Sequence, residues 1–351
     1  MGSLRFLFAI TVLFAHSIGN VFIGGPHSVQ LFYMISGFLI SYVLVEKSTY
    51  TNLRSFYTNR FLRLYPIYIF IAAITLIVFL ATQNMSFLNI YASSPLTAKF
   101  LLVFSNIFLI TQDWVMFAGV KTNQLVFTPD FLNSDLVLYK GLLVPPAWTL
   151  GLEISFYLIA PFILHRRRVM VFMLAISIII RIILFHIGLG KQDPWTYRFF
   201  PTELAFFLLG ALSNQVIWPY YKKILSNKQI QSWACLSTYL LISITLTFSL
   251  IPINETIKCL VFFSLFLIFM PFTFYFSKSN NWDKKLGDLS YPIYISHMLV
   301  LYLTTILLTR LNIGHKAPIA ICTLLLSIVL AIFLNKFIGN PIESIRNRYR
   351  S

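Results

Sequence analysis

The chain is 351 residues long, 58% hydrophobic and 17% aromatic, with 11% charged side chains and a formal net charge of +16. Soluble domains carry about a quarter charged residues, so this composition excludes a soluble globular fold. It indicates an all-α polytopic membrane protein, in which helices satisfy their own backbone polar groups. The basic residues are scattered through short loops, which excludes nucleic acid as a partner and points to orientation in a membrane.

Ten spanning segments are expected, at roughly 4–23, 28–46, 65–82, 146–164, 169–187, 199–217, 231–252, 257–277, 289–309 and 317–338. Arg5 and His16 interrupt the first. Eleven steps of about 100° leave them about 20° apart in azimuth, with a rise of about 16 Å between them. A guanidinium near the helix start and an imidazole near mid-bilayer would then face one crevice, and both mark a candidate site because both are costly in hydrocarbon. Snorkelling of Arg5 and a structural bond from His16 are the alternatives. This segment lacks a clear small-residue cleavage site, so no cleavable signal peptide is expected.

In the second segment, Ser36-Gly37-Phe38 gives a backbone that could approach a ligand or a neighbouring helix equally well. The following loop contains Arg54, Arg60 and Arg63. Arg60 and Arg63 stand three apart, so on a helix they share a face. Two planar guanidiniums there suit a phosphate clamp, while Arg54 reads as ordinary anchoring. Pro66 suits the first turn of the third span.

The only long loop, 83–145, holds Asp113, Asp130 and Asp135 among aromatics, and reads equally as an outer loop or as a cap over a cleft. Within it lies one further apolar stretch, 99–118. If that stretch re-enters or lies flat, one face gathers 18 of the 27 Lys and Arg residues and the other 8, with Arg181 inside a helix. This bias predicts both termini in the cytoplasm and a re-entrant or interfacial element within 83–145.

The fourth span opens Pro145-Pro146-Ala-Trp148 and carries Glu153 about 8–10 Å below the outer boundary. A buried carboxylate must be protonated, paired or wet, and Arg181 and His16 are its candidate cations. Trp148 also suits an interfacial belt. Glu203, opening the sixth span, can pair with Arg198 or contact substrate, and Gly210 fits close helix packing. The ninth span begins Leu286-Gly-Asp-Leu-Ser290-Tyr291-Pro-Ile-Tyr294-Ile-Ser-His297. It places His297 about 12 Å in from the cytoplasmic end, where a structural hydrogen bond is the alternative to a site role. Cys235, Cys259 and Cys322 fall in apolar stretches and read as small hydrophobes without a disulfide framework. No internal repeat is evident. Domain organisation is one membrane domain, 1–340, with a short basic tail, 341–351.

In order along the chain stand Arg5-x10-His16, Phe32-Tyr-Met-Ile-Ser36-Gly37-Phe38-Leu39, Arg60-x-x-Arg63-Leu-Tyr-Pro66, Trp148-Thr-Leu-Gly-Leu-Glu153 with Phe156-Tyr157, Arg198 with Glu203, and the Leu286–His297 run. Together they resemble the acyltransferase-3 family of bacterial membrane O-acyltransferases, over nearly the whole chain. The start, Met-Gly-Ser, departs from the acidic or Gly-rich stretch frequent before the first Arg. Many members also carry a soluble esterase-like domain. The expectation here is a membrane domain alone, completing its reaction by itself or on a partner.

The resemblance implies transfer of an acyl group, usually acetyl, from cytoplasmic acetyl-CoA to sugar hydroxyls of envelope polysaccharide precursors outside a bacterial inner membrane. Its functional residues map onto Arg5, His16, Arg60, Arg63, Glu153 and His297. Arg60 and Arg63, with Arg5, would hold the donor's phosphates. His16 would be general base, and Glu153 would orient it or receive the acceptor. Direct transfer and an acetyl-His16 intermediate both remain open. Ser36, Trp148, Arg181, Glu203 and Tyr291 are secondary site candidates, and no metal is expected. The alternative function is a transporter or flippase of a sugar or anion, although the inverted repeats of many transporters are missing.

Overall fold

A computed structural model describes residues 1–50 and 52–349. The helices are α1 Gly2–Ser17, α2 Gly25–Ser41, α3 Leu53–Ala81, α4 Met85–Ser93, α5 Leu96–Phe108, α6 Trp148–Ile163, α7 Arg167–His186, α8 Phe200–Leu212, α9 Trp218–Ile224, α10 Asn227–Thr247, α11 Glu255–Ser279, α12 Asn281–Arg310, α13 Lys316–Leu334 and α14 Asn340–Asn347. Single π-turns extend α2 and join α8 to α9 and α13 to α14. Among the described residues, nine continuous helical stretches are long and apolar enough to cross a membrane. The fold is therefore the expected all-α polytopic bundle.

Where the chain enters a helix, short polar side chains take the orphan amides. Asn52 accepts from Ser55 N, Asn254 from Thr256 N, and Asn280 from Trp282 N and Asp283 N. Ser226 and Gln229 form a reciprocal capping box at α10.

Three expected boundaries move. The first span, 4–23, is helical only to Ser17, because Gly19 (φ 106°), Phe22 (φ 53°) and Gly24 (φ 80°) turn the chain. His16 thus sits at the C-terminal end of its helix. The third helix starts at Leu53, so residues 53–64 of the expected loop are already helical and Pro66 lies inside α3, not in its first turn. The expected basic tail is also helical. Asn59 Nδ2 on α3 donates to the Arg346 carbonyl at 3.0 Å, which folds α14 back against the bundle. Arg350 and Ser351 of that tail lie outside the described residues.

Within segment 83–145, where a re-entrant or interfacial element is expected, the apolar stretch forms a short helix. Helix α5 has 13 residues, about 20 Å, too short to span. Phe79 near the C-terminal end of α3 packs against Phe87 of α4, whereas the far end of α5 meets α3 at its middle. There Tyr65 and Tyr68 hydroxyls donate to the carbonyls of Ile107 and Asn106 at 2.9 and 2.8 Å. Left-handed Leu109 and Thr111 then reverse the chain. It leaves through a two-stranded antiparallel hairpin, β1 Ala118–Lys121 and β2 Gln124–Phe127, with Lys121 opposite Gln124. Tyr65 and buried Tyr68 thus pair backbone groups that lipid could not.

Two helix pairs position the centre. Helices α2 and α8 cross where Gly37 and Gly210 meet. A Cβ on Gly37 would stand 1.8 Å from the Phe207 carbonyl oxygen, and one on Gly210 1.9 Å from that of Met34. Gly37 therefore serves helix packing, as Gly210 does. Helices α1 and α12 run parallel. The Asp283 carboxylate accepts from Gly2 N at 2.7 Å and Ser3 N at 2.8 Å, capping α1 from a neighbouring helix. Both helices rise at the same rate, so fourteen residues further on His16 arrives beside His297. Their ring centroids stand 5.3 Å apart.

Candidate functional site

Three cavities lie in series through the bundle. The first, about 400 Å³, opens at the face carrying α14 and is lined by Arg5, Arg63, Asp288, Tyr291, Glu343 and Arg346 among others. The second is a narrow waist of about 70 Å³ that shares Arg5, Arg63 and Tyr291 with the first and adds Ser36, Glu153 and Tyr157. The third, about 500 Å³, lies under the 83–145 segment and holds His16, Trp148, Asp193, Tyr197 and Arg198. Val29 and Tyr294 line both the waist and this third cavity.

The helices dictate this order. Arg5 and His16 share a face of α1, so one helix lines both ends of the path. Arg63 reaches it from α3, Ser36 from α2, Glu153 and Tyr157 from α6, and Tyr291 and Tyr294 from α12. In the waist, Glu153 Oε1 accepts from Ser36 Oγ at 2.8 Å and from the Tyr157 hydroxyl one helical turn on. The carboxylate faces the same small space as two guanidiniums, which offset the cost of its burial. Tyr291 donates to the Leu64 carbonyl, tying α12 to α3 beside Arg63. Between waist and third cavity, the Tyr294 hydroxyl accepts from Thr149 Oγ1 at 3.0 Å and donates to the Pro146 carbonyl at 3.2 Å.

His16 is exposed to the third cavity. His297 is fully buried behind it. The Tyr294 carbonyl lies 2.8 Å from His297 Nδ1 and can only accept, so that nitrogen carries the hydrogen. Nε2 is then a bare acceptor with no hydrogen-bond partner among the described residues. His297 lies some 24 Å along α12, because the helix begins at Asn281, eight residues before the expected span.

In the third cavity Arg198 is held by both Asp193 oxygens, at 2.6 and 3.0 Å. Its guanidinium lies 4.4 Å from the Trp148 ring centroid and 4.7 Å from that of Tyr197. This stacked cation on two aromatic faces makes a polar and aromatic wall opposite His16.

Several expected partnerships are rearranged. Arg60 does not join Arg63 in the cavity. Three steps along a helix leave about 60° between them, enough to turn Arg60 into a buried cage of Tyr50, Phe56 and Tyr157 rings, 5.7–5.9 Å away. It donates there to the Tyr50 hydroxyl at 2.8 Å and to Asn59 Oδ1 at 2.9 Å. Arg181 pairs with Glu203 and not Glu153, and also lies 5.0 Å from the Phe206 ring centroid. Glu203 consequently does not pair with Arg198. Neither Arg181 nor Glu203 lines the three cavities. Glu153 and His16 occupy different cavities, so the carboxylate does not orient the imidazole. Sequence reasoning passed over Tyr157 and Tyr294 as site residues, although Tyr157 stands four after Glu153, the spacing that brings side chains together on a helix. Asp288 stood within the Leu286–His297 run without being picked out as a site residue, and Glu343 and Arg346 were not picked out either, since only the fold carries α14 to the cavity.

These features define a polytopic helical membrane protein whose ionisable groups line a path from one face to the other. The chain belongs to the acyltransferase-3 family, whose description is an acyltransferase domain and whose match covers residues 2–336. It is a membrane acyltransferase. A protein of Aquifex aeolicus (strain VF5), described as an uncharacterized protein, is 26% identical over 215 residues, covering 58% of this chain and 89% of the relative. No solved structure matches.

Proposed function

We propose that the protein is an O-acyltransferase that moves an acyl group, acetyl in the first instance, from cytoplasmic acyl-CoA to a hydroxyl of an envelope carbohydrate on the outer side of a bacterial inner membrane. The observation that carries this reading is the series of three cavities, with two arginines at one end and a solvent-accessible imidazole at the other. The excess of basic residues at the face bearing α14 supports that face, with both termini, as cytoplasmic.

Arg5 and Arg63 supply forked donors for the phosphates of the donor, with Arg346 at the rim. The pantetheine arm runs along α1 into the waist, beside Ser36, Glu153 and Tyr157. The acceptor, a lipid-linked or polymeric sugar, enters from the opposite face onto the Trp148, Tyr197 and Arg198 wall. His16 takes the proton of its hydroxyl. The oxygen attacks the thioester carbonyl, a C–O bond forms, the C–S bond breaks, and the proton is returned to the departing thiolate of CoA. On substrate binding His16 swings its ring to donate to the bare Nε2 of His297, 5.3 Å away between centroids, which turns the other His16 nitrogen to the hydroxyl. The transporter alternative accounts for the path but not for membership of an acyltransferase family.

The test is donor binding and turnover of purified protein in nanodiscs with acetyl-CoA and an envelope-glycan fraction as acceptor. Wild type should bind acetyl-CoA saturably and release free CoA. His16→Ala should lose about 10²–10⁴ in rate with donor affinity kept. Wild-type turnover in His16→Ala would sink the assignment of the base, and absence of acyl-CoA binding to wild type would sink the donor.

A further inference from the structure

Outside this path, one cluster of side chains converges without any role in transfer. His27 lies in the first turn of α2, Glu255 opens α11, and Cys259 stands one turn further along α11. Their ligand atoms lie within 4.8 Å of one another. His27 Nε2 is 3.2 Å from Cys259 Sγ and 3.9 Å from Glu255 Oε1, and Sγ is 3.8 Å from the same oxygen.

We propose that His27, Glu255 and Cys259 form a zinc site that staples the outer end of α2 to the outer end of α11. Zinc holds sulfur at ~2.3 Å and nitrogen or oxygen at ~2.0–2.2 Å in a tetrahedron, which sets the ligand atoms about 3.3–3.6 Å apart. The observed separations bracket those values, so the side chains need to move only a few tenths of an ångström. The i, i+4 spacing puts Glu255 and Cys259 on one face of α11.

The neighbours are arranged as around a ligated metal. Gln30 Oε1 lies 3.5 Å from His27 Nδ1 and can only accept, which directs the bare Nε2 at the thiol. Lys258 Nζ takes the other Glu255 oxygen at 2.9 Å, leaving Oε1 turned inward. The fourth position faces solvent and suits water, since Glu255 is exposed. On binding, the Cys259 thiol gives its proton to solvent and the thiolate takes up the cation. One borderline-soft sulfur, one imidazole and one carboxylate match zinc better than magnesium or calcium. Pro26, adjacent to His27, lines the third cavity, so the metal would fix part of that cavity's rim.

The test uses tag-free full-length protein, stripped with chelator and titrated with zinc chloride. Wild type should bind one zinc per chain at micromolar concentration and melt higher when loaded. Cobalt chloride should give a thiolate-to-metal charge-transfer absorption. Cys259→Ser should abolish that absorption, while Cys235→Ser with Cys322→Ser keeps it. Glu255→Gln, at an exposed position where folding is not at stake, should weaken zinc binding at least tenfold. A wild type that binds no stoichiometric zinc, or a Cys259→Ser protein that binds it as tightly, overturns the proposal and leaves a thiol–imidazole hydrogen bond only.

Discussion

Arg60 and Arg63 show how finely azimuth separates roles at the scale of single residues. They are one helical turn apart and chemically identical, yet one guanidinium lines a cavity of about 400 Å³ and the other is buried among three aromatic rings. Their variants should therefore fail differently. Arg63→Ala should weaken acetyl-CoA binding by about tenfold or more, since a hydrogen bond to a charged group is worth ~1.5–3 kcal/mol, with little change in melting temperature. Arg60→Ala should lower stability by about 2–4 kcal/mol through lost cation–π contacts and an emptied cage. Donor affinity should stay near wild type in the protein that remains folded. Calorimetric titration and thermal unfolding of both variants check this, and equal losses of donor affinity would return Arg60 to the clamp.

Among the helices, the decisive contacts are backbone to backbone. The α2–α8 crossing leaves no room for a methyl at Gly210, so Gly210→Ala should cost about 1–3 kcal/mol or more as the helices part. Gly314→Ala, where a Cβ meets nothing within 4 Å, is the matched control. Melting in detergent distinguishes them, and an undisturbed Gly210→Ala protein would mean that the crossing is looser than described. Ser36, one residue before Gly37 on α2, donates to Glu153 on α6, so displacement of α2 from α8 should also lower transfer. Likewise, the parallel α1–α12 register, set where Asp283 caps α1, is what delivers His297 to His16.

Taken whole, the molecule is polarised. Basic residues collect at the face bearing α14, and the one long segment between helices covers the other. In a protein carrying Ser at Cys235, Cys259 and Cys322, Lys228→Cys should resist an impermeant maleimide added outside intact cells, and Gly314→Cys should react with it. The opposite pattern would invert the orientation and place the arginine cavity outside. The cavities narrow from about 400 to about 70 and widen to about 500 Å³. A waist of that size passes a small acyl group more readily than a sugar, which fits transfer across the membrane with the carbohydrate kept outside.

How much of this was legible in the amino-acid order follows from which interactions are local. Apolar run length alone set the class and located most spans, because a helix in lipid needs only its own backbone and a hydrophobic surface. Helical periodicity put Arg5 and His16 on one face of α1. The charge bias predicts a re-entrant or interfacial element within 83–145, and α5 there has 13 residues. Early termination of α1 at Ser17, extension of α3 back to Leu53, and the folding of α14 depend on turns and caps weaker than the hydropathy signal. Pairings were decided by tertiary structure alone. Sequence distance cannot say that Arg181 meets Glu203, that Glu153 joins Ser36 and Tyr157 rather than His16, or that His27 meets Cys259. Each is fixed by which helix lies beside which, and in lipid that choice rests on small-residue crossings and buried polar contacts summed over the whole bundle.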